Sequence, residues 1–241
     1  MRVAVVSDIH GNLTALEAVI SDLQKLGVER VVHGGDLVGG GARSAEVIDV
    51  VRSLNWPGVR GNTDEMLWDL QRVSDVLQHP QFRRMRDVLL AQTIPAICRA
   101  IGDDRLAWLR SLPIQWTNET LAVVHAGADD PWVSPMLNAP DDELEQTYGR
   151  LARPCVVYGH IHQPYVRRLH GFTVANAGSV SLSYDGDPRA SYALIDEGQV
   201  VIRRVPYDVE EEARRLVDTG YPDGEWLAQI LRSARYLPPP V

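Results

Sequence analysis

The chain has only two cysteines, Cys98 and Cys155, far apart and each in apolar surroundings. That scarcity argues against a disulfide framework or a thiolate-ligated metal and for two reduced core thiols. A basic surplus is missing as well: 24 Lys and Arg stand against 32 Asp and Glu, a net charge of −8 with no block of like sign. A protein that grips a nucleic-acid backbone needs the opposite balance, so no nucleic-acid patch is expected. No apolar run approaches membrane-spanning length, and no membrane contact is expected. The opening run Val3 to Val6 is too short for a signal segment, which makes the cytoplasm the expected location. Internal repeats and low-complexity stretches are absent. What is left is an ordinary globular composition over 241 residues, enough to bury one sizeable core as a single domain over residues 1–241.

Within it, the chain is organised around Val5-Val6-Ser7-Asp8-Ile9-His10-Gly11-Asn12. The apolar run Val3 to Val6 reads as a buried strand closed by turn residues, and Asp8 and His10 lie two apart just past its end. The period then turns helical: Leu16, Val19, Ile20, Leu23 and Leu26 form one stripe that Gly27 stops, with Thr14 and Glu17 at capping-box spacing. A second strand, Val31-Val32-His33, runs into Gly34-Gly35-Asp36, and a helix over residues 44–54 follows. A third strand is expected around Val59, ending at Gly61-Asn62-Thr63-Asp64. Strand, loop and helix in alternation predict parallel strands whose loops share one sheet edge.

Residues 65–112 break the rhythm and read as a mostly helical, cap-like insertion interrupted at Pro80 and Pro95. Strands resume at residues 114–117 and 121–124, the latter delivering His125. After a loop and a helix over 141–151, the buried run Cys155-Val156-Val157-Tyr158 ends in Gly159-His160-Ile161-His162. Beyond Tyr165 the short strands lack intervening helices, so they are expected to be antiparallel and to form a second sheet packed on the first. Helices over about 209–218 and 224–235 close the chain before a Pro-rich tail.

Five strand ends thus carry Asp8 and His10, Asp36, Asn62, His125, and His160 with His162. An Asp-x-His alone is weak, since chance supplies about 0.6 in such a composition, whereas chance supplies Gly-His-x-His only about 0.016 times. Carboxylate, amide oxygen and imidazole without thiolate suit Mn, Fe or Zn rather than a structural zinc. Seven donors are too many for one ion and fit two divalent ions sharing a carboxylate, an arrangement that stabilises attacking and leaving oxygens on phosphorus.

The blocks Asp8-Ile9-His10-Gly11-Asn12, Gly35-Asp36-Leu37-Val38-Gly39, Gly61-Asn62-Thr63-Asp64, His125-Ala126-Gly127 and Gly159-His160-Ile161-His162 resemble those of the calcineurin-like metallophosphoesterases, in particular their small bacterial phosphodiesterase-like branch. Asn176-Ala177-Gly178-Ser179-Val180 and Asp185 to Ala190 resemble further segments of that branch. The resemblance implies two packed mixed β-sheets flanked by helices, a four-layer α/β/β/α sandwich, and a dinuclear metal-dependent phosphoesterase, most simply a phosphodiesterase. It implies one metal on Asp8, His10, Asp36 and His162 and a second on Asp36, Asn62, His125 and His160, with manganese favoured. By the same resemblance Asp36, Asn62 and His125 would carry the catalytic roles, with a metal-bridging hydroxide expected to attack phosphorus in line.

The chain departs from that pattern where relatives have His after the ligand Asn, for here Thr63 follows Asn62. The phosphatase-type Gly-Asp-x-Val-Asp-Arg-Gly is missing after Asp36, which argues against a protein phosphatase. Asn12, Arg43 and Thr63 are the candidate substrate contacts. The expected partner is a small phosphate ester, with a homo-oligomer kept open. Hydrolysis of dinucleoside polyphosphates and a weakly active partner-binding scaffold are the competing readings.

Overall fold

A computed structural model of the chain describes residues 2–240. Its first strand, β1 (Val3–Val6), leads through the Asp8–Asn12 turn into α1 (Leu13–Lys25), and β2 (Arg30–His33) returns parallel to β1 with Val5 opposite Val32. The cap of α1 is Asn12, whose side chain accepts from the Ala15 amide at 2.9 Å. The Thr14–Glu17 spacing therefore goes unused, and the Thr14 hydroxyl donates to Glu212 instead.

After α2 (Ser44–Ser53), the strand expected around Val59 is reduced to a single parallel bridge between His33 and Gly58. Pro57 has no N–H to give a ladder, and the Arg60 amide bonds to the Pro113 carbonyl, so the chain peels away from β2 after two hydrogen bonds. The segment that follows is helical, as its periodicity predicts: α3 (Asn62–Glu65), α4 (Leu70–Val76), a 3₁₀ turn at Pro80–Phe82, α5 (Arg83–Val88), a π turn at Leu89–Thr93 and α6 (Ile94–Ser111). Pro80 does interrupt it. Pro95 falls in the first turn of α6, where a missing N–H costs little, and the sharper break is at Gly102 with φ 70°.

The remaining elements are β3 (Gln115–Thr117), β4 (Leu121–Val124), α7 (Asp141–Tyr148), β5 (Cys155–Tyr158), β6 (Tyr165–Arg168), β7 (Thr173–Asn176), β8 (Ala190–Asp196), β9 (Gln199–Val205), α8 (Val209–Asp218) and α9 (Gly224–Ser233). One sheet runs β2-β1-β8-β9 and the other β3-β4-β5-β7-β6. The late strands do not make a sheet of their own. β7 adds parallel to β5, while β8 pairs antiparallel with the free edge of β1, setting Val5 opposite Ala193. Each sheet therefore mixes early and late strands, with antiparallel β3 and β6 at the edges of the second.

Alternation along the strands explains the layers. Val3, Val5 and Val32 of the first sheet meet Val123, Val157 and Ala175 of the second in a core between the sheets. Ala4 and Val6 point the other way, against Leu16 and Val19 of α1 and Val47 and Ile48 of α2. Ala122, Val124 and Val156 likewise face Leu144 and Tyr148 of α7. Strands buried on both faces read as continuous apolar runs, which is why β1, β4 and β5 are four-residue stretches of Val, Ala, Leu, Cys and Tyr. Two mixed sheets between helical layers match the expected architecture. Among the described residues no helix is long and apolar enough to cross a membrane.

Candidate metal centre

Apart from Asn62, which opens α3, the polar residues of the motifs sit just past strand ends, where the chain must leave the sheet. It does so through left-handed backbone at Asp8 (φ 58°), His10 (φ 50°), Asp36 (φ 54°), His160 (φ 69°) and His162 (φ 55°). Non-glycine residues rarely adopt that conformation, and its clustering at one place marks a site whose surroundings hold it there. The loops are pressed together as well: a Cβ on Gly61 would land on the Asp36 carboxylate, and one on Gly159 on Asp8 and Ser7. Only glycine lets these backbones approach so closely.

The result is a buried cluster of Asp8, His10, Asp36 and His162 whose donor atoms lie within 4.8 Å of one another. His162 Nε2 is 3.1 Å from Asp8 Oδ1 and 3.1 Å from His10 Nε2. His10 Nε2 is 3.6 Å from Asp36 Oδ2. The other Asp36 oxygen, Oδ1, faces His125 Nε2 at 3.5 Å. Beyond it, Asn62 Oδ1 stands 2.9 Å from His125 Nε2 and 2.9 Å from His160 Nδ1. All seven donors predicted from the sequence are thus gathered into two adjoining groups that meet at Asp36.

Tautomers decide what these contacts mean. The Nδ1 of His10, His125 and His162 each lies against a backbone carbonyl, Gly39 at 2.8 Å, Gly34 at 2.8 Å and Leu182 at 2.6 Å. A carbonyl only accepts, so these nitrogens carry protons and the Nε2 atoms are the ones turned to the centre. His10 and His162 then oppose lone pair to lone pair, and His125 Nε2 opposes the oxygen of Asn62. Acceptors converging without a shared proton fit a cation between them, and imidazoles anchored through the other nitrogen are the usual form of metal-bound histidine.

The electrostatics agree. Burial pushes His10 below the ordinary imidazole range and His160 down to about 4, leaving both rings neutral and free to coordinate. Burial also opposes charge on His125, but the carboxylates of Asp36 and Asp8 outweigh it and raise that ring, a field that favours any cation. Burial would raise Asp8, yet positive charge at His162 Nε2, 3.1 Å away, holds it well below the carboxylate range, and a cation held between the two would act in the same direction.

Residues to which the sequence reading gave no role hold this arrangement. The Asp64 carboxylate accepts from the amides of Asp36, Leu37 and Gly61 at 2.9 Å each, tying two site loops together. Burial and the nearby Asp36 charge push its pKa up to about 7. As third residue of α3 it reaches back to the amide of the N-cap Gly61, the half of a capping box that a glycine N-cap allows. Ser179 donates to the Asp8 carbonyl and accepts from the Ser181 and Leu182 amides. Tyr184 stacks on His162 with centroids 4.6 Å apart.

The three expected substrate contacts are placed differently from one another. Asn12 is buried as the cap of α1 and donates to Ser181 Oγ. Arg43 is spent on Glu212 at 2.6 Å and on the Thr14 hydroxyl. Arg43 thereby ties α1 to α8 and Asn12 ties α1 to the Ser181 loop, and neither is gathered with the donors. Thr63 does border the centre, its amide donating to Asp36 Oδ1 at 2.8 Å and its hydroxyl to the Val38 carbonyl at 2.7 Å.

Buried carboxylates and imidazoles gathered at one edge of a two-sheet α/β sandwich define a divalent-metal-binding protein. The family model of the calcineurin-like phosphoesterase superfamily domain matches residues 1–199, and the chain belongs to that family. It is a metal-dependent hydrolase of phosphoester bonds. An uncharacterized protein of Methanocaldococcus jannaschii is 29% identical over 252 residues, covering 95% of this chain and 96% of its own. The phosphodiesterase YfcE of Escherichia coli is 27% identical over 207 residues, 81% of this chain and 88% of that one. The crystal structure of a metallophosphoesterase from Sphaerobacter thermophilus superposes with a TM-score of 0.79 at 26% identity, covering 97% and 99% of the two chains.

Proposed function

We propose that the chain is a dinuclear metal-dependent phosphodiesterase. The observation that carries this is the division of the Asp36 carboxylate, one oxygen toward His10 and the other toward His125. Asp8, His10, Asp36 and His162 would hold one ion, and Asp36, Asn62, His125 and His160 the second. Oxygen and imidazole donors suit Mn, Fe or Zn, with Mn our choice. When bound, such a pair acidifies a water and offsets charge on phosphoryl oxygens. The chain's part is to fix ligand rotamers before substrate arrives, through the carbonyls behind His10, His125 and His162 and the Thr63 amide on Asp36. The new bond joins the water oxygen to phosphorus as the bond to the departing alcohol breaks, and that alcohol takes up a proton. The diester preference is supported by the Escherichia coli relative named a phosphodiesterase. We further place the protein in the cytoplasm as one domain, with residues 65–112 as its insertion.

Elemental analysis after reconstitution with manganese tests the reading, alongside turnover of bis-p-nitrophenyl phosphate and its monoester. Wild type should hold two ions and cleave the diester faster. Asp36→Ala should lose both ions, since it removes the shared ligand. A variant that keeps one ion at full affinity removes the bridge from the scheme, and a scaffold would hold no full pair and turn over neither ester.

A further inference from the structure

Beside the metal centre lies a chamber of about 390 Å³. Its floor includes His10, Asn62, His160 and His162, so whatever fills it touches the groups proposed to hold the ions. One wall comes from the helical insertion, through Val73, Leu77, Met85 and Val88. The facing wall comes from the chain's last turn and helix, through Tyr221, Leu227 and Ile230. That second wall lies beyond residue 199, where the family match ends. The volume is far above the voids that packed cores leave and falls within the range of small-molecule sites. The π turn Leu89–Thr93 also faces the chamber through Leu89 and Thr93, and such turns recur where a helix is reshaped around a site.

The charge of the lining selects among phosphoesters. Among the described residues no Lys or Arg lines the chamber. The one carboxylate outside the ligand set is Asp223, and it is bound to Arg84 at 2.7 Å. A second phosphate placed here would be stripped of water with no cation to meet it, a cost that phosphate sites normally offset with Arg or Lys. An uncharged hydrocarbon loses nothing by entering and gains from leaving water.

We infer that this chamber is the specificity subsite of the phosphoesterase, and that it takes the hydrocarbon group, aryl or extended alkyl, of an ester bearing a single phosphate. The inference rests on the proposed phosphoesterase reading. It also separates that reading from dinucleoside polyphosphate hydrolysis, whose substrates would bring several further negative charges into the same space.

A series of non-hydrolysable alkylphosphonates (methyl, butyl, hexyl) and phenylphosphonate tests it on the manganese-loaded protein. Affinity is read by calorimetry and by inhibition of bis-p-nitrophenyl phosphate cleavage. Affinity should rise about fourfold per methylene until the chamber is full, and tripolyphosphate should bind no better than methylphosphonate. Val88→Phe should fill part of the space and stop the rise at a shorter chain. Leu227→Arg should flatten it, with a melting curve to show the variant is folded. If Leu227→Arg does not fold, the Val88→Phe series decides alone. A flat series on an active wild type overturns the inference and spares the phosphoesterase reading. A rise unchanged in Val88→Phe overturns the chamber as its place, and tripolyphosphate binding tighter than hexylphosphonate overturns the charge argument. A chain-length rise that Val88→Phe cuts short, in a protein that cleaves no phosphoester, upholds the chamber and overturns the hydrolase reading instead.

Discussion

Thr63 stands where an acid would be useful, and its hydroxyl proton is already spent on the Val38 carbonyl at 2.7 Å. Threonine is in any case too weak an acid to replace an imidazolium near neutral pH. His33 cannot substitute for it, because its ring is fully buried against Gly58 and Trp108, away from the donors. Departing alkoxides should therefore leave with little proton assistance, and log kcat/KM should fall steeply as the leaving-group pKa rises. Thr63→His should raise alkyl-ester rates more than aryl-ester rates, by up to the about 10²-fold that a modestly placed general acid gives. A flat dependence in the wild type, with chemistry shown to limit the rate, would take Thr63 out of the mechanism. His33 makes a separate prediction about stability. Among the described residues neither of its ring nitrogens has a hydrogen-bond partner, and burial lowers its pKa to about 4. The folded value lies below the unfolded one of about 6.5, so the unfolded chain binds the extra proton between them. The stability tied to a neutral His33 is then full above pH 6.5 and is lost as pH falls toward 4. In chelated protein, lowering the pH from 7 to 5 should cost wild type about 2 kcal/mol more than His33→Phe, as urea unfolding at the two values would show. Equal losses in both proteins would mean that the ring is not held neutral.

The loops between elements carry most of the constraint, and two glycines separate its kinds. Gly61 has an ordinary extended backbone, with φ −102° and ψ −178°, but an added Cβ would run into the Asp36 side chain and amide. Gly102 has nothing within 4 Å of an added Cβ, yet its φ is 70°. Gly102→Ala should thus cost about 1 kcal/mol through backbone strain alone and leave metal content untouched. Gly61→Ala should cost about 3 kcal/mol or more, or else displace Asp36 and with it both ions. Thermal melting with metal analysis separates the two, and equal behaviour of the variants would refute the steric account. The same distinction explains what could be read in advance. Asp8, His10 and the Gly-His-x-His run were legible because a polar pair directly after an apolar strand has few uses inside a core. The helicity of residues 65–112 was legible from its 3.6-residue period. Strand partnership was not, because β7 and β8 present similar short apolar patterns, and only the chain's passage through residues 177–189 sends one to β5 and the other to β1. The strand expected at Val59 fails on hydrogen bonds that Pro57 cannot donate, a local fact that hydrophobicity outvoted. Asn12 and Arg43 looked available as polar loop residues, but their partners Ser181 and Glu212 lie 169 positions away in the chain.

At the scale of the whole molecule, the centre lies where the two sheets meet. β1 and β2 of one sheet lead to Asp8, His10 and Asp36, while β4 and β5 of the other lead to His125, His160 and His162. Between the sheets lies an apolar core of side chains such as Val5, Val32, Val123 and Val157. Ions bound at the strand ends would therefore join the two halves of the sandwich, and they would bind the native arrangement far better than an unfolded chain whose donors are scattered from residue 8 to residue 162. They would also relieve the lone-pair opposition of His10 and His162 at 3.1 Å. Mass action sets the size of the effect. One ion at a hundred times its dissociation constant adds about 2.7 kcal/mol. For a chain of 150–250 residues each kcal/mol moves the midpoint by about 2–4 °C. Chelation should accordingly lower the melting temperature by about 5–11 °C for each ion lost, and titrating manganese back should restore it in proportion to the logarithm of free metal. In Asp36→Ala that logarithmic response should shrink for both ions together, because each set would miss the same ligand. A melting temperature indifferent to chelator, in protein shown to have held metal and then to have lost it, would mean that the ions bind the unfolded chain as well as the native one, and would refute this linkage.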